Sequence, residues 1–478
     1  MSQAHARHRS FEAHRSRAIG LVVLCASALV AMVLLVPTRN LAKAAPVSAD
    51  SIASVGAATS TFTCVGLRQG LQSAVIATSL NDVAVTGTLS VLGQHGVESV
   101  RPLRINPHTT YRIALPNRTY HAWSSAVLQW NGGGISVAQA LVGVGTWTTT
   151  PCRSTLSDTW FFGDGVTTLH TGTTLVVANP TTSTAVISAR FLTPNGPLEP
   201  QALQGVVIPA LTTVALPLSK SVVHQSLFST KVTANSGRVV ASLVELGLSA
   251  SQVLTVVQGT TSCPVSSILP YTVTNANEVQ QFTVTNFSAA PTDVTLQVHL
   301  PSGVLPAKVI HLQGSSIGAV DPGAFRGIPQ GYPFSISFTS KAKSGVLALR
   351  LSRAFPQAIE YRTVETAVAL APASAHLLVV PTGLAGGPSA VAAVGVQSLS
   401  TEPITVHFSS LGGAQLARDI RPPLTLAPHQ FVALSGPLPT AGGRNALVVD
   451  ASGPIVVSTR ANPGGSPAGP GYSGLRIS

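Results

Sequence analysis

Apolar side chains alternate with small polar ones in four separate blocks of this chain, and each block carries the same succession of turns. In the first block Val83, Val85, Gly87, Leu89 and Val91 share one strand face, with Ala84, Thr86, Thr88 and Ser90 on the other. The second sets Ala185, Ile187, Ala189 and Phe191 against Val186, Ser188 and Arg190; the third sets Val294, Leu296, Val298 and Leu300 against Thr295, Gln297 and His299. The fourth sets Ile404, Val406 and Phe408 against Thr405 and His407. A period of two belongs to strands with one face buried and one wet, and it excludes a helical body.

The turns give the blocks a common frame. Each alternating strand follows another that ends in a polar turn: Ser79-Leu80-Asn81, Asn179-Pro180-Thr181, Asn286-Phe287-Ser288 and, more loosely, Gln397-Ser398-Leu399. Asn81, Asn179 and Asn286 stand 98 and 107 residues apart, the length of one β-sandwich. A second turn follows at Pro107-His108, Pro209 and Pro428-His429, with Gly314 in the third block, because proline fixes φ at a strand edge without needing a ladder bond. Glycine-centred hairpins close the blocks at Gly133-Gly134, Ser236-Gly237, Ser344-Gly345 and Ser452-Gly453. The expected fold is therefore all-β: tandem immunoglobulin-like β-sandwich modules over residues 64–151, 152–262, 263–372 and 373–460. Short connections predict an elongated array, with fusion of two modules into one barrel or propeller as the compact alternative.

Ahead of the modules, Ala18 to Val36 runs nineteen residues without a charge, enough at about 1.5 Å per residue to cross a hydrocarbon core of about 30 Å. Arg7, Arg9, Arg15 and Arg17 precede it against the single acid Glu12, which keeps residues 1–17 in the cytoplasm and exports the rest. Residues 37–63 read as an Ala/Ser/Thr-rich tether and 461–478 as a Gly/Pro-rich tail. The competing reading is a secreted protein after signal cleavage at Ala42-Lys43-Ala44. The expected location is the cell membrane, single-pass, with the bulk outside.

Charged residues are only 9% of the chain and the net charge is +12, arising from scarce carboxylates rather than from any basic run. Scattered arginines without a stripe argue against a nucleic-acid partner. The partners expected are the membrane and an envelope protein or polysaccharide.

Cys25 falls within the apolar span, leaving Cys64, Cys152 and Cys263 in an oxidising compartment. A Cys64–Cys152 disulfide would close module 1 and stabilise it by about 4 kcal/mol on the chain-entropy account, and is preferred; Cys152–Cys263 around module 2 is the rival. No metal or cofactor motif is present, and none is expected. Ser340-Lys341-Ala342-Lys343 fits the S-x-x-K of acyl-enzymes, yet falls at a hairpin tip rather than a helix start. Asp164, between two glycines, reads as a turn. Trp123, Trp130, Trp147 and Trp160 all lie in one forty-residue stretch. Trp123 and Trp160 are the candidate aromatic binding residues, able to stack on sugar rings or anchor a protein, whereas Trp130 shares a face with Leu128 and belongs to the core. The sequons at Asn117 and Asn286 are read as turns.

Cys152, Thr159-Trp160-Phe161-Phe162-Gly163 and Leu175-Val176-Val177-Ala178-Asn179-Pro180 together resemble an uncharacterised family of actinobacterial exported proteins. In that domain-of-unknown-function group a Cys, a W-x-F motif and an L-x-x-x-N-P strand end follow one N-terminal span. The resemblance implies a membrane-tethered extracytoplasmic protein and supplies no activity, ligand or catalytic residue. The function expected is a non-enzymatic envelope protein whose modules act as a spacer or binding surface. The alternative is a carbohydrate-binding accessory or hydrolase using the aromatic zone between modules 1 and 2.

Overall fold

The computed structural model describes residues 58–477, leaving out 69, 116–122, 144–146, 248–252, 275–277, 343–344, 355–360, 367, 370–376, 382–390, 412–415, 418–420, 436–445, 462–470 and 474. The expected tail 1–17 and membrane helix 18–36 lie outside the described residues. Among those described, no helix is long and apolar enough to cross a membrane. Regular structure there is strand, apart from three single-turn 3₁₀ helices.

Module 1 contains β1 (Ser60–Arg68), β2 (Gln72–Ser79), β3 (Val85–Gly93), β4 (Gly96–Ile105), β5 (Thr110–Ala114), β6 (Trp123–Trp130), β7 (Ile135–Val142) and β8 (Trp147–Pro151). They form two antiparallel sheets in the orders β4-β3-β6-β1 and β5-β2-β7-β8. Modules 2, 3 and 4 repeat both orders, with the fourth strand broken into two short pieces in each, and modules 3 and 4 add a short strand, Val368–Ala369 and Leu475–Ile477, on the outer side of the first. The immunoglobulin order shares the pairs second–fifth and third–sixth, but sets the first strand beside the second and the seventh beside the sixth. Here those two terminal strands have traded places.

The alternation read in the sequence builds the sandwich faces. Val294, Leu296, Val298 and Leu300 are buried while the residues between them are half-buried, and Ala185, Ile187, Ala189 and Phe191 behave alike. Val83 departs from its block: it precedes β3 and is 69% exposed. The central strands depart more widely. Ala74, Ile76, Thr78, Ser136, Ala138 and Ala140, on the faces of β2 and β7 turned away from the module's own core, are all at most 1% exposed. A second sheet covers that face too, so few positions remain where a charge could stay hydrated, and the 9% charge content follows.

The turn frame is conserved in all four modules, with one change of partners. Ser79, Asn179, Asn286 and Ser398 end the second strands, and each side-chain oxygen accepts from the amide two residues on. Asn81 is therefore the counterpart of Thr181 and Ser288, not of Asn179; its Nδ2 instead donates to the Gly133 carbonyl at 2.8 Å. Facing this turn, His108, Leu211, Ser315 and His429 all adopt positive φ, and their amides donate to the carbonyls of Asn81, Thr181, Ser288 and Ser400. One αL residue per module thus fastens the second-strand turn to the fifth-strand turn.

Sheet packing continues between modules. Modules 1 and 2 share a single apolar cluster running from Phe62 to Val257. At a bulge in β1, Gly66 has φ +94°, and an added Cβ would lie 2.7 Å from Val244 Cγ2 in module 2. The Val65 carbonyl beside it accepts from Gln139 Nε2 at 2.7 Å and from Ser242 Oγ, across the seam, at 3.0 Å. Modules 2 and 3 meet through Phe161 on Phe287 at 5.0 Å between ring centroids and a Ser229–Thr285 hydroxyl pair at 2.7 Å. Modules 3 and 4 keep separate apolar clusters, joined by a small one of Tyr271, Ala393 and Phe431. Ala138 of module 1 itself belongs to the module 4 cluster, so the series of sheet contacts returns to the module where it began. The short connections predict an elongated array; the modules instead share apolar clusters, and module 1 shares one with module 4.

Two boundaries also move. Cys64 lies within β1, which starts at Ser60, rather than at a module junction. Gly471–Ser473 and Leu475–Ile477, within the expected tail, pair with the seventh and first strands of module 4.

Candidate functional site

Cys64 and Cys152 are joined by a disulfide with a Cα–Cα distance of 4.5 Å, and both are fully buried. The amide of Arg153, just past Cys152, pairs with Thr63 in both directions, so ladder and covalent bond close module 1 together. Cys263 stays a thiol in the connection between modules 2 and 3; burial pushes its pKa up to about 12 against the opposing charge of Lys231. A thiol so held is protonated and a poor nucleophile.

The two candidate tryptophans separate. Trp160 is 0% exposed, its indole N–H donates to the Val239 carbonyl at 2.9 Å, and the Arg153 guanidinium lies 5.9 Å from its ring. It is a core residue with no face for a sugar or partner, which corrects its reading as a binding residue. Trp123, at the start of β6, is half-buried, with the Arg68 guanidinium 5.5 Å from its ring centroid. Burial holds Arg68 below its ordinary pKa. Trp130 is buried, as its place on the Leu128 face of β6 implies.

The remaining motifs resolve into structure. Ser340 is buried at the end of a strand, where its Oγ meets Thr292 Oγ1 and accepts from the Ala342 amide; Lys343 lies outside the described residues. Lys341 pairs with Asp293 at 3.0 Å, and Lys341 and His311 together hold that carboxyl below the usual range. Asn286 is fully buried and spends its amide on the Ala290 and Gln313 carbonyls; Asn117 lies outside the described residues. Asp164 is completely buried. Among the described residues no three His, Cys, Asp or Glu side chains are grouped to hold a metal.

One open cleft was not foreseen. It encloses about 590 Å³ in module 3, between Thr274, Val279 and Gln280 on one side and the loop joining the fifth and sixth strands on the other. That loop carries the 3₁₀ turn Pro322–Ala324, capped by Asp321 Oδ1 accepting from the Gly323 amide at 2.6 Å. Phe325, 6% exposed, plugs the loop into the module core, with Lys308 Nζ 6.0 Å from its ring. The Gly331 amide donates to the Thr274 carbonyl at 2.8 Å, stapling the loop to the end of the first strand. Asp321, Arg326 and Gln330 are exposed around the opening. Gly-Pro spacing in the loop was the only sequence sign, and it marks a turn without marking a cavity.

These features define an all-β protein of repeated antiparallel sheets in sandwich-like pairs. Residues 135–407, more than half the chain, match the model of a family of unknown function, DUF5719, and the chain belongs to that family. No curated protein matches it. Among solved structures, one from Thermotoga maritima is 10% identical over 22% of this chain and 95% of its own, with a TM-score of 0.20. A GH2 β-galacturonidase from Eisenbergiella tayi is 9% identical over 66% of this chain and 45% of its own, less than half of the enzyme, at 0.15. A tetra-tandem repeat from the extending region of a large adhesion protein is 11% identical over 88% of this chain and 100% of its own, at 0.11. TM-scores this low give no ground for carrying over a fold or an activity.

Proposed function

We propose that this chain is a non-enzymatic extracytoplasmic envelope protein, held to the cell membrane by Ala18–Val36, whose β-sandwich modules present a binding surface. The observation that carries the reading is the fully buried Cys64–Cys152 disulfide, since such bonds form and persist in oxidising compartments and are rare in the cytosol. A binding role is preferred to a spacer role because modules 1 and 2 share one core and module 1 also meets module 4, which spends sheet surface on contacts rather than on reach. The carbohydrate-binding or hydrolytic alternative loses support where it relied on Trp160, buried inside module 2.

Protease applied to intact cells tests the location. The full chain, tagged at each end, should lose its C-terminal tag and keep its N-terminal one, and thiol labelling of the denatured, unreduced chain should find Cys64 and Cys152 blocked. A protected C-terminal tag, or two free thiols at those positions, would overturn the proposal.

A further inference from the structure

The module 3 cleft is built as a receptor rather than left as a gap between loops. Its floor is fixed before any ligand arrives: Phe325 is locked in the core, Asp321 caps the 3₁₀ turn, and Gly331 is tied back to Thr274. Thr274 Oγ1 adds a second tie to the Pro329 carbonyl at 3.3 Å. Gln280, 6% exposed, is oriented by its Nε2 donating to the Val273 carbonyl. A volume of about 590 Å³ is that of a site for one or two small rings.

The lining selects the chemistry. Asp321 accepts, Arg326 donates and Gln330 does both, while the carboxylate and guanidinium cancel in formal charge. Val279, 64% exposed, and Ile328 form an apolar wall. Mixed donors and acceptors without net charge, beside an aliphatic wall, match a molecule whose hydroxyls both donate and accept around a C–H face. We infer that this cleft binds a neutral pyranose unit of an envelope glycan. The inference rests on the extracytoplasmic reading, which brings the cleft into contact with such polymers, and it moves recognition from the tryptophan zone to module 3.

Full-length protein in detergent is titrated with chitotetraose and cellotetraose, followed by saturation-transfer NMR and calorimetry, with glycylglycine as a zwitterionic comparison. One of the two oligosaccharides should bind, and Arg326→Ala and Gln330→Ala should each weaken it about tenfold while melting as the native chain does. Both side chains are exposed, so neither substitution endangers the fold. Binding of neither sugar, unchanged affinity in both variants, or binding of glycylglycine in place of the sugars would overturn the inference. Protease topology on cells is independent of this titration, so failure of the cleft and failure of the extracytoplasmic reading give different results.

Discussion

Modules 1 and 2 and modules 3 and 4 have the same strand orders, yet their seams are made of different material. Between 1 and 2 the apolar core runs through without a break, and a glycine bulge lets β1 sit against Val244. Between 3 and 4 a hydrogen-bonded chain stands in the middle: Ser335 Oγ donates to Gln397 Oε1 at 2.6 Å, and Gln397 Nε2 donates to the His429 carbonyl. His299, bonded to Ser337, lies in the field of His429 across the same seam. Topology thus sets which sheets meet, while side chains decide whether the joint is greasy and permanent or polar and responsive to solution conditions.

The sharpest way to break the contrast is Gly66→Val. A β-branched residue at φ +94°, with its Cβ 2.7 Å from Val244 Cγ2, should cost about 4 kcal/mol, and chemical denaturation should show modules 1 and 2 lost in one transition. Cys64→Ser with Cys152→Ser follows, costing about 4 kcal/mol on the chain-entropy account by the same measurement, with modules 3 and 4 unaffected. At the other seam Gln397→Ala removes an acceptor from the buried Ser335, and a loss of about 2 kcal/mol, confined to the transition of modules 3 and 4, is expected.

The smallest expected effect is a pH response. Burial, then the charge of His429, holds the His299 imidazole below its ordinary value, so as the pH falls the unfolded chain takes up this proton before the folded one. The associated stability is complete above about pH 6.5 and declines as the pH drops below that unfolded value. Thermal melts between pH 7.5 and 5 should show the decline in the native chain and a flatter profile in His299→Gln. Equal slopes would remove the histidine pair from the account of this seam.

Alternation made the sandwich faces legible, because Val294 to Leu300 need only local period to declare which side is buried. It could not show that Thr78 and Ala138 would be buried on the opposite side, since small residues look alike whether they face water or another sheet. The Asn81 register failed for a related reason: a serine can do at Ser79 what asparagine does at Asn179, and only the hydrogen bond reveals the equivalence. Trp160 carried a binding chemistry in its type and a core role in its position. The module 3 cleft was invisible because its walls, Val279 and Arg326, are separated along the chain and come together only in the fold, where the loop is tied to Thr274 at Gly331 and Pro329.

All four tryptophans lie between Trp123 and Trp160, and the protein has no others, so its ultraviolet emission is a lamp placed in one half of the molecule. Spectroscopists following 350 nm light would watch the continuous core dissolve and see nothing of the polar joint. Far-ultraviolet dichroism, which sees every strand, would record the half that stays dark.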